Sequence, residues 1–213
     1  MNFKDLLSIV GREPVFSTGL LLAGQTNPNY VRRQLTEWVN TGKVWQLRRG
    51  LYTLAPPHQK VKPHPFLVAN RMVNGSYVSK MSALAYFGHV PEFVVLITRV
   101  TTGRPGEWET PLGHFVYQHL QPGMFFGYQR IQVAPDQFAY IATPEKALLD
   151  LVYLQPGGDD RAYLESLRLQ NLDQFDLDKM WRFVEKSGRP KLIRAVQEIA
   201  DLAGLEAGEY VIL

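Results

Sequence analysis

The chain contains no cysteine. Disulfides, cysteine-ligated zinc, iron–sulfur clusters and thiol nucleophiles are thereby excluded, and the composition fits a reducing cytoplasm. No apolar run approaches the roughly 18 residues that a membrane helix needs. The start, MNFKDLLSIVGREP, has an early acidic residue and no long apolar stretch, which predicts no signal peptide and a cytoplasmic location. Walker A and dinucleotide-binding glycine motifs are missing. The histidines, His58, His64, His89, His114 and His119, show no metal-ligand spacing. Gly75-Ser76 could open a nucleotidyltransferase signature, but the AYFGHV that follows lacks the aspartates that would hold Mg²⁺. Internal repeats and low-complexity tracts are also absent. The expectation is a protein that binds rather than catalyses, without metal or cofactor.

What is present is a globular composition. The 213 residues are 46% hydrophobic and 20% charged, enough for one large domain or two small ones. Charge is unevenly placed. Up to Lys62 there are nine basic and three acidic side chains, a balance of +6, which leaves −3 for the rest of a chain whose formal net charge is +3. Such asymmetry suggests a front end that faces nucleic acid.

The run APPHQKVKPHP holds four of the fourteen prolines and reads as a linker. The expected organisation is residues 1–55 as one domain, 56–66 as the linker and 67–213 as a larger domain. Before the linker, Phe3, Leu6, Leu7 and Val10 have helical spacing, and a second short helix is expected over Phe16–Leu22, ended by Gly24. A third helix starts from an Asn27 cap with Pro28 in its first position and ends at Gly42. Two strands around Arg49-Gly50 follow, in VWQLRRGLYTL. Three helices and then a hairpin is the order of a winged helix-turn-helix.

After the linker the chain reads as α+β. A helix is expected over Ser79–Gly88, strands over Phe93–Val100 and His114–Leu120, and a hairpin turning at Pro135-Asp136. Thr143-Pro144-Glu145 caps the helix KALLDLVYL, and two or three more helices fill the tail. The fold class expected is therefore α+β: a winged helix-turn-helix, then a mixed domain with a helical tail.

The third helix turns Val31, Leu35, Trp38 and Val39 inward, which leaves Asn29, Tyr30, Arg32, Arg33, Thr36, Glu37 and Asn40 on the outer face, of which Asn29, Tyr30, Arg32, Arg33 and Thr36 are the candidate DNA contacts. These side-chain types hydrogen-bond base edges and phosphates, and the first turns of a recognition helix approach the bases. Lys43, Arg48 and Arg49 on the hairpin would reach phosphates, with Gly50 supplying the tight turn. The runner-up reading is a metal-dependent nuclease in the second domain, built on Glu107, Glu109, Glu145 and Lys146, with Glu107 and Glu109 in a turn-rich segment. The aromatic run GMFFGYQ fits either core or a partner surface.

The segments LTEWVNTGKVWQLRRGLYTL, YVSKMSALAYFGHV and ATPEKALLDLVYL resemble the AbiE-type antitoxin family of bacterial transcriptional regulators, from type IV toxin–antitoxin systems. The resemblance runs from the first helix to the TPEKALLDLV helix. It implies an N-terminal winged helix that binds duplex DNA at its own promoter or operator, with Arg32, Arg33, Arg48 and Arg49 at the contact positions. It implies a C-terminal domain that counteracts a nucleotidyltransferase-like toxin. Two copies on a palindromic or repeated site, as a homodimer, is the expected arrangement on DNA.

Overall fold

The computed structural model describes residues 1–23, 27–91 and 96–210, with side chains to residue 204. It is a mixed α+β structure with a helical C-terminal region. Its first helix, α1 (Phe3–Val10), starts at a reciprocal cap: Asp5 N donates to Asn2 Oδ1 at 2.9 Å, and Asn2 N donates to Asp5 Oδ2 at 2.7 Å. The expected second helix over Phe16–Leu22 is corrected. Phe16–Ser17 is a short strand, β1, and only Thr18–Leu22 is helical (α2). Phe16 pairs with Tyr52 across the sheet and stacks on its ring at 5.9 Å, a distant contact that outweighs local helical spacing. The expected stop at Gly24 lies outside the described residues.

Helix α3 (Pro28–Asn40) has the expected start, with Asn27 Oδ1 accepting from Tyr30 N at 3.1 Å. The hairpin β2 (Val44–Arg48) and β3 (Leu51–Leu54) turns through Arg49 and Gly50, whose φ of 82° suits glycine. With β1 it forms a three-stranded sheet in the order β1-β3-β2. Leu6, Val10, Phe16, Leu21, Val31, Leu35, Trp38, Val44 and Leu54 bury together as the core of this part.

The run expected as a linker is pinned along its length. Gln59 Nε2 donates to the Leu54 carbonyl at 3.0 Å. Gln137 accepts from His64 N at 2.7 Å and donates to the Lys62 carbonyl at 3.0 Å. Helix α4 (Pro65–Met72) begins inside it, capped by His64 with proline in the first turn.

The second sheet has six strands in the order β6-β7-β5-β4-β9-β8: β4 (Ser76–Val78), β5 (Leu96–Thr101), β6 (Gly106–Thr110), β7 (Gly113–His119), β8 (Tyr128–Ala134) and β9 (Gln137–Ala142). The hairpin at Pro135-Asp136 is as expected. The first residues of the expected Phe93–Val100 strand lie outside the described residues. Glu107 and Glu109, expected in a turn-rich segment, lie on β6, paired antiparallel with β7. Helices α5 (Lys80–Tyr86) and α6 (Pro144–Leu154) pack with Tyr77 and Val100, whereas Ile97, Phe115 and Tyr117 bury against α4. Helices α7 (Arg161–Ser166), α8 (Leu177–Ser187) and α9 (Pro190–Tyr210) complete the chain.

Two polar groups in this core stand out. Lys146 and Asp150, one turn apart on α6, are both fully buried and paired with each other. Asp150 Oδ2 also accepts from Tyr77 OH at 2.9 Å and Ser79 Oγ at 2.7 Å. Burial pushes the Lys146 ammonium down and the carboxylate opposes it; burial and the same carboxylate push the Tyr77 phenol up. Arg99 on β5 is fully buried as well, its Cζ 5.3 Å from the Tyr117 ring centroid, and none of its guanidinium nitrogens makes a hydrogen bond among the described residues. Burial pushes it down to about 10, so it stays charged at neutral pH. Burying an unpaired cation opposes folding, so Arg99→Met is expected to leave the melting temperature unchanged or raise it by about 2–4 °C. A fall of more than about 4 °C in thermal denaturation would show that the Tyr117 contact outweighs the desolvation.

Candidate nucleic-acid interface

Burial of Val31, Leu35 and Trp38 sets the rotation of α3 and puts Asn29, Tyr30, Arg32, Arg33 and Thr36 on its exposed face. These residues support one another at three- and four-residue spacing. Arg32 Nη1 donates to Asn29 Oδ1 at 3.0 Å, Arg33 Cζ lies 5.8 Å from the Tyr30 ring centroid, and Thr36 Oγ1 donates to the Arg32 carbonyl at 3.1 Å. The two guanidinium groups are thus held beside the first turns of the helix, where the unpaired N–H groups and the helix dipole add positive potential.

The hairpin divides the remaining three residues. Lys43 follows α3, exposed, with Nζ 5.2 Å from the Phe3 ring centroid. Arg49 is exposed at the turn, at the other end of β2, roughly 20 Å along the strand from Lys43. Arg32, Arg33, Lys43 and Arg49 have no carboxylate within salt-bridge distance among the described residues. A polyanion approaching them would displace no internal anion.

Arg48 is placed differently. Although solvent reaches it, its guanidinium donates to the Met72 carbonyl and lies over Trp108. Its neighbour Leu47 is buried in a cluster with Val68, Met72, Ile97 and Phe115 from beyond the linker, and Val15 and Leu51 from before it contribute too. One side of the hairpin therefore covers the helices through Val44, and the other faces the large sheet. The available signal was the odd spacing of Val44 and Leu47, which puts two apolar side chains on opposite faces of a regular strand.

The residues of the runner-up reading are not gathered into one site. Glu107 pairs with His114, Glu145 Oε2 lies 2.8 Å from Lys179 Nζ, and Lys146 is committed to Asp150. No three histidine, aspartate or glutamate side chains converge as a metal site among the described residues. The aromatic run is largely packed inward: Phe125 lies against Tyr77 at 5.0 Å and Phe126 against Phe183 at 5.3 Å, while Tyr128 and Tyr140 stay exposed. Among the described residues no helix is long and apolar enough to cross a membrane.

No protein-family model matches the chain, and no curated protein matches it either. The chain is similar in structure to the RV2827C protein from Mycobacterium tuberculosis, with a TM-score of 0.58 and 17% sequence identity over 94% of this chain and 76% of that one. At that identity the likeness is one of fold.

Proposed function

We propose that the chain is a sequence-specific DNA-binding regulator of transcription, acting as a repressor through an N-terminal winged helix-turn-helix. The observation that carries this reading is the outer face of α3. It presents Asn29, Tyr30, Arg32, Arg33 and Thr36 together, exposed, with no carboxylate within salt-bridge distance of either arginine among the described residues. Asparagine and arginine read adenine and guanine edges in the major groove, and Lys43 and Arg49, at the two ends of β2, supply phosphate contacts. The mechanism is occupancy of promoter DNA, with no chemical step and no cofactor. In this reading residues 67–213 form the antitoxin-like domain of an AbiE-type regulator, whose partner is a nucleotidyltransferase-like toxin, and two copies of the cytoplasmic protein bind a repeated site.

Arg33→Ala is expected to weaken binding to a selected duplex by about tenfold and to change which sequences are preferred. Arg49→Ala is expected to weaken all duplexes alike and to reduce the slope of log affinity against log salt by about 0.9. Gel-shift titrations over a salt series read both effects. If the wild-type protein fails to retard duplex DNA even at low salt, the assignment is wrong. For the antitoxin role, co-expression with the product of a neighbouring nucleotidyltransferase-like gene is the corresponding test, and continued growth arrest would remove it.

A further inference from the structure

Arg48 has the residue type and the hairpin position of a phosphate contact, but its surroundings give it other work. Met72 is the last residue of α4, and the final carbonyls of a helix lack intrahelical partners and carry the negative end of its dipole. The guanidinium of Arg48 donates to that carbonyl and so closes the end of a helix 24 residues along the chain. Its Cζ also lies 5.7 Å from the ring centroid of Trp108 on β6. Trp108 stands edge-on to Tyr117 on β7 at 5.1 Å, and Tyr117 OH donates to the Ala69 carbonyl of α4 at 2.7 Å. The hairpin, α4 and the edge of the large sheet therefore meet at one side chain. The irregular register between Gln46 and Arg48 leaves Leu47 out of the strand pairing, and Leu47 is only 3% exposed.

We propose that Arg48 is a positioning residue for DNA recognition, not a phosphate ligand. It fastens the three-helix part to the large sheet and so sets the orientation in which α3 is presented. Arg49, one residue on, keeps the phosphate role. A change of partner or conformation at β6 or at the end of α4 would reach the DNA-binding helix through this contact. The inference rests on the DNA-binding reading above.

The experiment compares Arg48→Met, Arg48→Lys and Arg49→Ala with the wild-type full-length protein. The probes are a duplex selected by the wild-type protein from a random pool and a random-sequence duplex. For Arg48→Met we expect specific affinity to fall about tenfold, random-duplex affinity to stay within about twofold, and the salt slope to stay unchanged. Arg48→Lys keeps the charge but not the planar fork, so it is expected to behave like Arg48→Met. Amide exchange at the end of α4 and along β6 is expected to rise in both variants and not in Arg49→Ala. A salt slope lowered by about 0.9 in Arg48→Met, retained in Arg48→Lys, with exchange unchanged, would overturn the proposal. If the wild-type protein binds no duplex, the DNA-binding reading fails. The exchange comparison then still decides whether Arg48 fastens the two parts.

Discussion

Asp150→Ala is expected to lower the stability of the protein by about 3–5 kcal/mol, because it leaves the Lys146 ammonium buried without a counter-charge. Both side chains are fully buried, so water cannot substitute for the lost carboxylate. The same change strips the acceptor from Tyr77 OH and Ser79 Oγ, hydroxyls 2.9 and 2.7 Å from the carboxylate. Each buried hydroxyl left unpaired adds about 1–3 kcal/mol in the same direction. The double change Lys146→Met with Asp150→Leu removes the charge problem and keeps apolar volume, so it is expected to be less damaging than Asp150→Ala alone. Urea denaturation of the three proteins measures this. A loss under about 1 kcal/mol for Asp150→Ala, or a double variant less stable than the single, would show that the pair does not hold the core in this way.

The second large effect is expected from Trp38→Ala. Trp38 is 4% exposed, lies edge-on to Phe3 at 5.6 Å, and packs α3 against α1 and the hairpin. Truncating a buried tryptophan costs about 3–5 kcal/mol, through lost burial and the cavity left behind. That is a large share of the roughly 5–15 kcal/mol that holds a whole domain folded, and the core before the linker is small. Amides of α3 are expected to lose exchange protection before those of the large sheet, and under the proposed function DNA binding should fall with them although Trp38 does not face the solvent. Trp38→Phe is expected to recover most of the loss. Exchange measured residue by residue checks this, and uniform destabilisation of both parts would show that they unfold as one unit.

Much of the candidate interface was legible in the chain because its causes are local. The stripe of Val31, Leu35 and Trp38 orients α3, and the Asn27-Pro28 pair starts it within one turn of backbone. Gly50 marks the hairpin turn for the same reason: a φ of 82° is a property of one residue. What was not legible came from partners far away in sequence. Phe16 has helical spacing with its neighbours but pairs with Tyr52. Glu107 and Glu109 sit among turn-forming residues but join β7 as a strand. Lys146 and Asp150 stand four residues apart in KALLD, but their pairing in complete burial depends on the sheet and helices that close over them.

Arg48 and Arg49 show the division most directly. As letters they are equivalent, two arginines at the tip of a hairpin. The sequence by itself determined the basic front end, the helix that carries most of its polar face, and the turn, since charge, periodicity and backbone preference act over a few residues. Only the tertiary structure decided that Leu47 faces the large sheet and that Arg48 closes α4 against the Trp108 ring while Arg49 stays in solvent. Those outcomes depend on where the chain returns many residues later, and on a break in strand register that no local pattern specifies.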